Sequence, residues 1–117
     1  MPPHRVACDV MDAFTVATRN LGHAAQSQDR VEVIEHAGGL VVALADGSGG
    51  MAGGAEAAEI VVQAVREALA RGTETADPAA WCTLLADLDE RISMSPQGGE
   101  TTAVLLGIDT NGIAGAS

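Results

Sequence analysis

Apolar and polar positions along this chain fall into two periods. The segments FTVATR (Phe14 to Arg19) and RVEVIE (Arg30 to Glu35) alternate apolar with small or polar side chains, as strands with one wetted face do. LVVALA (Leu40 to Ala45) is instead an unbroken apolar run bounded by glycines, which predicts a central strand covered on both sides. HAGG before it reads as a turn, and Asp46 falls at the exposed end of the strand.

From Ala55 to Arg71 the period changes. Glu56, Glu59, Gln63, Arg66, Glu67 and Arg71 recur at helical spacing opposite a stripe of Ala58, Val61, Val62, Val65 and Leu69, so an amphipathic helix is predicted there, with Gly72 ending it. Asp77 and Pro78 suit the cap and first position of a second helix, in which Trp81, Leu84, Leu85, Leu88 and Ile92 share a face. SPQGG (Ser95 to Gly99) is a loop. TTAVLLGID (Thr101 to Asp109) is strand-like, TNG (Thr110 to Gly112) is a hairpin turn, and IAGAS begins a partner strand. One domain over residues 1–117 is expected, without repeats or an interdomain linker.

Composition narrows the classes. Aromatic residues are 2% of the chain, Phe14 and Trp81, so the core has to be built from Ala, Val, Leu and Ile. Six bases against 16 acids give a formal charge of -10, which disfavours nucleic acid and anionic membrane surfaces as partners. No segment reaches the length of a membrane span and no leader pattern is evident, so a cytoplasmic location is expected. Cys8 and Cys82 lack the paired spacing of a zinc or redox site and read as reduced, buried thiols, while His4, His23 and His36 are scattered.

The loop GSGGMAGG after Asp46 carries the candidate chemistry. Glycine permits close approach to the main chain, and three readings are open. Asp46 and the Gly47 carbonyl are hard oxygen donors of the kind that suit Mg²⁺ or Mn²⁺. The free amides at a helix start suit a phosphate, although the lysine and hydroxyl residue of a P-loop are missing. The third reading is a tight strand-to-helix turn in which Asp46 only caps or is solvated.

Three segments in order resemble one family. ALADGSGGMAGGAEAA is similar to the strand, Asp-Gly and Gly-Gly signature of the metal-dependent protein serine/threonine phosphatases of the protein phosphatase 2C type. SQDRVEVIE resembles that family's early acidic segment, and GGETTAVLLGI its later Gly-(Ser/Thr)-Thr-Ala strand. The resemblance spans roughly Phe14 to Ser117. It implies an α+β fold, a four-layer α-β-β-α sandwich of two antiparallel sheets flanked by helices, of which this chain would be the incomplete N-terminal half.

By the same resemblance, Asp46 would bridge two metals, the Gly47 carbonyl would bind one of them, and Asp29 would lie at the same centre. The cofactors implied are Mg²⁺ or Mn²⁺. The activity implied is hydrolysis of phosphoserine and phosphothreonine in signalling phosphoproteins by a metal-activated water. The sequence departs from the family in two respects. The arginine that holds substrate phosphate has no counterpart, since GHAAQS stands there and Arg19 and Arg30 are out of place. The Gly-Asp-Ser turn and later metal-binding aspartates are also missing. The chain alone is therefore expected to be weak or inactive. The alternatives are one half of a split phosphatase, whose partner would be a second chain supplying the missing half, or a non-catalytic binding and regulatory module.

Overall fold

In the computed structural model the described residues are 4–6, 14–16, 27–36, 38–49 and 53–117. Their elements run β1 (His4–Val6), β2 (Phe14–Val16), β3 (Asp29–His36), β4 (Gly39–Ser48), α1 (Gly53–Ala70), α2 (Pro78–Ser93), β5 (Glu100–Asp109) and β6 (Gly112–Ala116). The class is α+β. β1 and β2 form a two-stranded antiparallel pair, and the other four strands form one antiparallel sheet in the order β3-β4-β5-β6. Both helices pack on this second sheet. Of the sequence segment Phe14 to Arg19, only the β2 portion lies within the described residues, and Cys8, Arg19 and His23 lie outside them.

The local signals act where chemistry predicts. The N–H of Ala80 donates to Asp77 Oδ1 at 3.1 Å, and Pro78 occupies the first turn of α2, where its missing N–H costs nothing. Gly72 ends α1 at φ 101°. There Thr73 N–H donates to the Ala68 carbonyl and Gly72 N–H to that of Leu69, the paired bonds of a Schellman motif. Asp109 faces Gly112 across the β5–β6 turn, and its carboxylate accepts the Asn111 N–H.

The core lies between α1 and one face of the sheet. Val41, Ala43 and Ala45 of β4 and Leu105 of β5 meet Ala58, Val61, Ala64, Val65, Ala68 and Leu69 of α1. From α2 come Trp81 and Leu88, while Leu84, Leu85 and Ile92 are partly buried against the cluster. Trp81 is fully buried, and its indole N–H donates to the Thr75 carbonyl at 2.8 Å. Gly107 makes that crossing possible, since a Cβ there would stand 1.7 Å from the Thr75 oxygen.

Two expectations are corrected. Among the described residues β4 is not covered on both sides: Leu44 is 48% exposed, Val104 beside it is 46% exposed, and Ile113 on the same face reaches 71%. An apolar run shows that a strand is hydrophobic, but not that both faces find partners among the described residues. Cys82, expected to be buried, is exposed, because it follows Trp81 on α2 and one helical step turns it away from the sheet.

Candidate metal centre

β3 and β4 pair so that Asp29 stands directly opposite Asp46, and β4 and β5 pair so that Asp46 stands opposite Thr102. Side chains alternate across a strand, so these three residues form one row across three strands. Arg30 points to the other face, where its guanidinium meets Glu59 of α1 at 3.0 Å. The row therefore lies on the sheet face opposite α1.

Thr102 holds Asp46 through the main chain. Its Oγ1 accepts the Asp46 N–H at 3.3 Å and lies 3.5 Å from the Asp46 carbonyl, to which it donates. The Asp29 N–H donates to Ser27 Oγ at 3.2 Å. The Asp29 carboxyl is raised above the ordinary carboxylate value, first by its hydrogen bond to Asp46, then by desolvation and by the Asp46 charge, with Arg30 opposing. The Asp46 carboxylate, facing Asp29 across the two strands, thus makes ionisation of Asp29 harder, as a neighbouring like charge does.

The glycines have a structural account. A Cβ on Gly47 would lie 2.1 Å from the Gly54 carbonyl oxygen and 2.6 Å from that of Gln28. One on Gly99 would lie 1.9 Å from the Gly53 oxygen. The turn after β4, the start of α1 and the loop before β5 therefore meet backbone to backbone, and side chains would separate them. This packing requires neither a phosphate nor a metal to explain Gly47, Gly53, Gly54 and Gly99.

Sequence reasoning named Asp29, Asp46 and Gly47, and the structure brings all three to the same end of the β3–β4 ladder. It missed Thr102 and Gln28. The adjoining threonines and the residue preceding Asp29 were visible, but only strand register shows that they face Asp46 and Gly47. Arg30 is engaged away from the acidic row, since it also donates to the Ser27 and Asp29 carbonyls at 3.0 and 2.8 Å. Among the described residues, no cluster of three or more His, Cys, Asp or Glu side chains forms. The groove beneath Leu85, Leu88 and Ile92 lies on the helical side and contains neither Asp29 nor Asp46.

The sequence profile of the protein phosphatase 2C family matches residues 18–105. The chain belongs to the protein phosphatase 2C family. The phosphatase 2C chain also shares its fold with the S. agalactiae serine/threonine phosphatase, at 20% sequence identity and a TM-score of 0.52. That match covers 96% of this chain and 45% of the other, so the present chain spans less than half of the solved phosphatase. No curated protein matches it. The matched residues of the phosphatase 2C chain include the acidic row and the whole glycine seam from Gly47 to Gly99.

Proposed function

We propose that this chain carries one part of a divalent-metal site for hydrolysis of phosphoserine and phosphothreonine esters in proteins. The observation that carries the reading is the cross-strand pair Asp29 and Asp46, two carboxylates set opposite each other at the ends of two strands. Family membership supports the reaction class. The donor set fits Mg²⁺ or Mn²⁺, because both side chains are hard oxygen ligands at an accessible position where an ion can keep part of its water. When bound, such ions would neutralise phosphate charge and make a coordinated water more acidic.

Within that reading each residue has a separate task. Asp46 is the shared donor, and Thr102 fixes the backbone from which it projects. Asp29 contributes charge from the neighbouring strand. The Gly47 carbonyl is an additional donor at the same turn. Arg30 does not bind substrate phosphate, since its guanidinium is committed to Glu59 and two carbonyls.

The test is Mn²⁺ binding by the 117-residue chain, followed by electron paramagnetic resonance, with a phosphothreonine peptide offered in parallel. Asp46→Asn is expected to abolish binding and any metal-dependent hydrolysis. Equal Mn²⁺ binding by wild type and variant would refute the site. A second reading, a non-catalytic binding module, draws on the exposed apolar residues Leu44, Val104 and Ile113. Asp46-dependent metal binding together with an inert phosphopeptide would favour that module, or a split enzyme, over a self-sufficient phosphatase.

A further inference from the structure

Gln28 immediately precedes Asp29 and meets the glycine turn at two points and the start of α1 at a third. Its carbonyl accepts the Gly47 N–H at 3.0 Å. Its side-chain Nε2 donates to the Gly49 carbonyl at 3.3 Å. Its Oε1 lies over Gly54 in the first turn of α1, so closely that a Cβ on that glycine would stand 2.0 Å from it. One side chain thus spans the end of β4 and the start of α1.

We propose that Gln28 is a positioning residue: its side-chain amide clasps the glycine turn to α1 and so holds Asp46 and Gly47 in place beside Asp29. The inference rests on the metal-site reading for its functional half, while the clasp itself rests on geometry alone.

The need for a clasp follows from the composition of the turn. Glycine backbones lose the most conformational freedom on ordering, and Gly49 adopts φ 126°. On one side the turn is held by the close approach of Gly99, whose Cα would lie 3.1 Å from a Cβ on Gly49. Gln28 is the holder on the other side. Its side chain is not part of the buried cluster between sheet and helices, so its loss frees the turn without opening the core. A carboxylate and a carbonyl that wander relative to Asp29 hold an ion less well, because affinity for a hard cation depends on preset donor geometry.

The experiment compares Gln28→Met and Gln28→Ala with wild type in the full 117-residue chain. Methionine keeps the length of the side chain and removes the donor. Hydrogen exchange of the amides of residues 47–49, among them the Gly47 N–H that donates to the Gln28 carbonyl, should accelerate about fivefold in both variants, the factor expected for one net hydrogen bond. The Mn²⁺ dissociation constant should rise by a similar factor, with the melting temperature lowered by about 3–6 °C. Unchanged turn exchange in Gln28→Met overturns the clasp. Faster exchange with an unaltered Mn²⁺ constant overturns the positioning role, as does a loss of protection through the core that exceeds the fivefold change at the turn. A wild-type chain that binds no Mn²⁺ refutes the metal reading, and the exchange arm then decides the clasp by itself.

Discussion

Replacing Gly47 by alanine puts the backbone-packing account of the glycine seam to a direct test. The added methyl would sit 2.1 Å from the Gly54 carbonyl oxygen, 2.6 Å from that of Gln28 and 2.6 Å from the Gly54 carbonyl carbon. Ordinary contact needs about 3.5 Å, so α1 and the end of β4 would have to separate by over about 1 Å. None of the obstructing atoms is the tip of a flexible side chain, so rotamer changes cannot relieve the clash. Overpacking of this kind costs about 1–3 kcal/mol, or a fall of roughly 4–15 °C in melting temperature for a domain of this size. Thermal unfolding followed by circular dichroism reads it directly. Gly115→Ala is the control, because its nearest obstacle is 3.1 Å away and the next is a leucine methyl at 3.6 Å. A Gly47→Ala chain that melts with wild type would show that the turn has room to spare, and the glycines would then need another explanation.

Two further outcomes are expected. Because the folded-state value of Asp29 is raised, the native chain binds this proton more tightly than the unfolded chain does. Metal-free stability should therefore fall as pH rises from the ordinary carboxylate value through the raised one, and level off above it. Mn²⁺ affinity should climb across the same window, and Asp29→Asn should flatten both trends while weakening metal binding less than Asp46→Asn. Melting curves and Mn²⁺ titrations at several pH values check this, and a melting temperature that rises through the window would contradict the pairing of the two carboxyls. Trp81→Phe removes the donor to the buried Thr75 carbonyl and should cost about 1–3 kcal/mol, read by urea unfolding. Unchanged stability would mean that water reaches that oxygen.

Much of the fold was legible because its signals are local. The strand at Arg30 to Glu35, the stripe on α1, the Asp77–Pro78 start and the Gly72 stop each depend on residues within a few positions of one another, and each element appears in the structure. The wet face expected of β3 does not: its burial does not alternate, and Arg30 and Glu32 face α1 while Val31 stands opposite the exposed Leu44. What remained hidden depends on distant segments. The glycines suggested a ligand close to the main chain, yet the close neighbours are Gly54, Gly99 and Gln28, contacts set by how α1 and the loop before β5 settle. The side chain of Cys82 follows helical phase rather than the general preference of cysteine for the interior. Arg30 pairs with Glu59 and Arg66 with Glu32, pairings that fix β3 against α1 and that no spacing in the chain announces.

The position of the acidic row follows from the same register that builds the core. Side chains alternate with a period of two, so a one-residue slip turns every side chain of a strand to the opposite face. In the observed register Asp29 meets Asp46, Val31 meets Leu44 and Val33 meets Val42, with Thr102, Val104 and Leu106 completing the rows on β5. Ala43, Ala45 and Leu105 then point at α1. Shifting β4 by one residue would turn Asp46 toward the helix beside Ala58 and Val61, and would lift Ala43 and Ala45 out of the core. The adverse pairing of two carboxylates at the strand ends is therefore enforced by the burial of apolar residues along the remainder of both ladders. The two carboxylates are thus preset by the fold itself, so the hydrophobic pattern of β4 determines where the charge sits as much as where the core does.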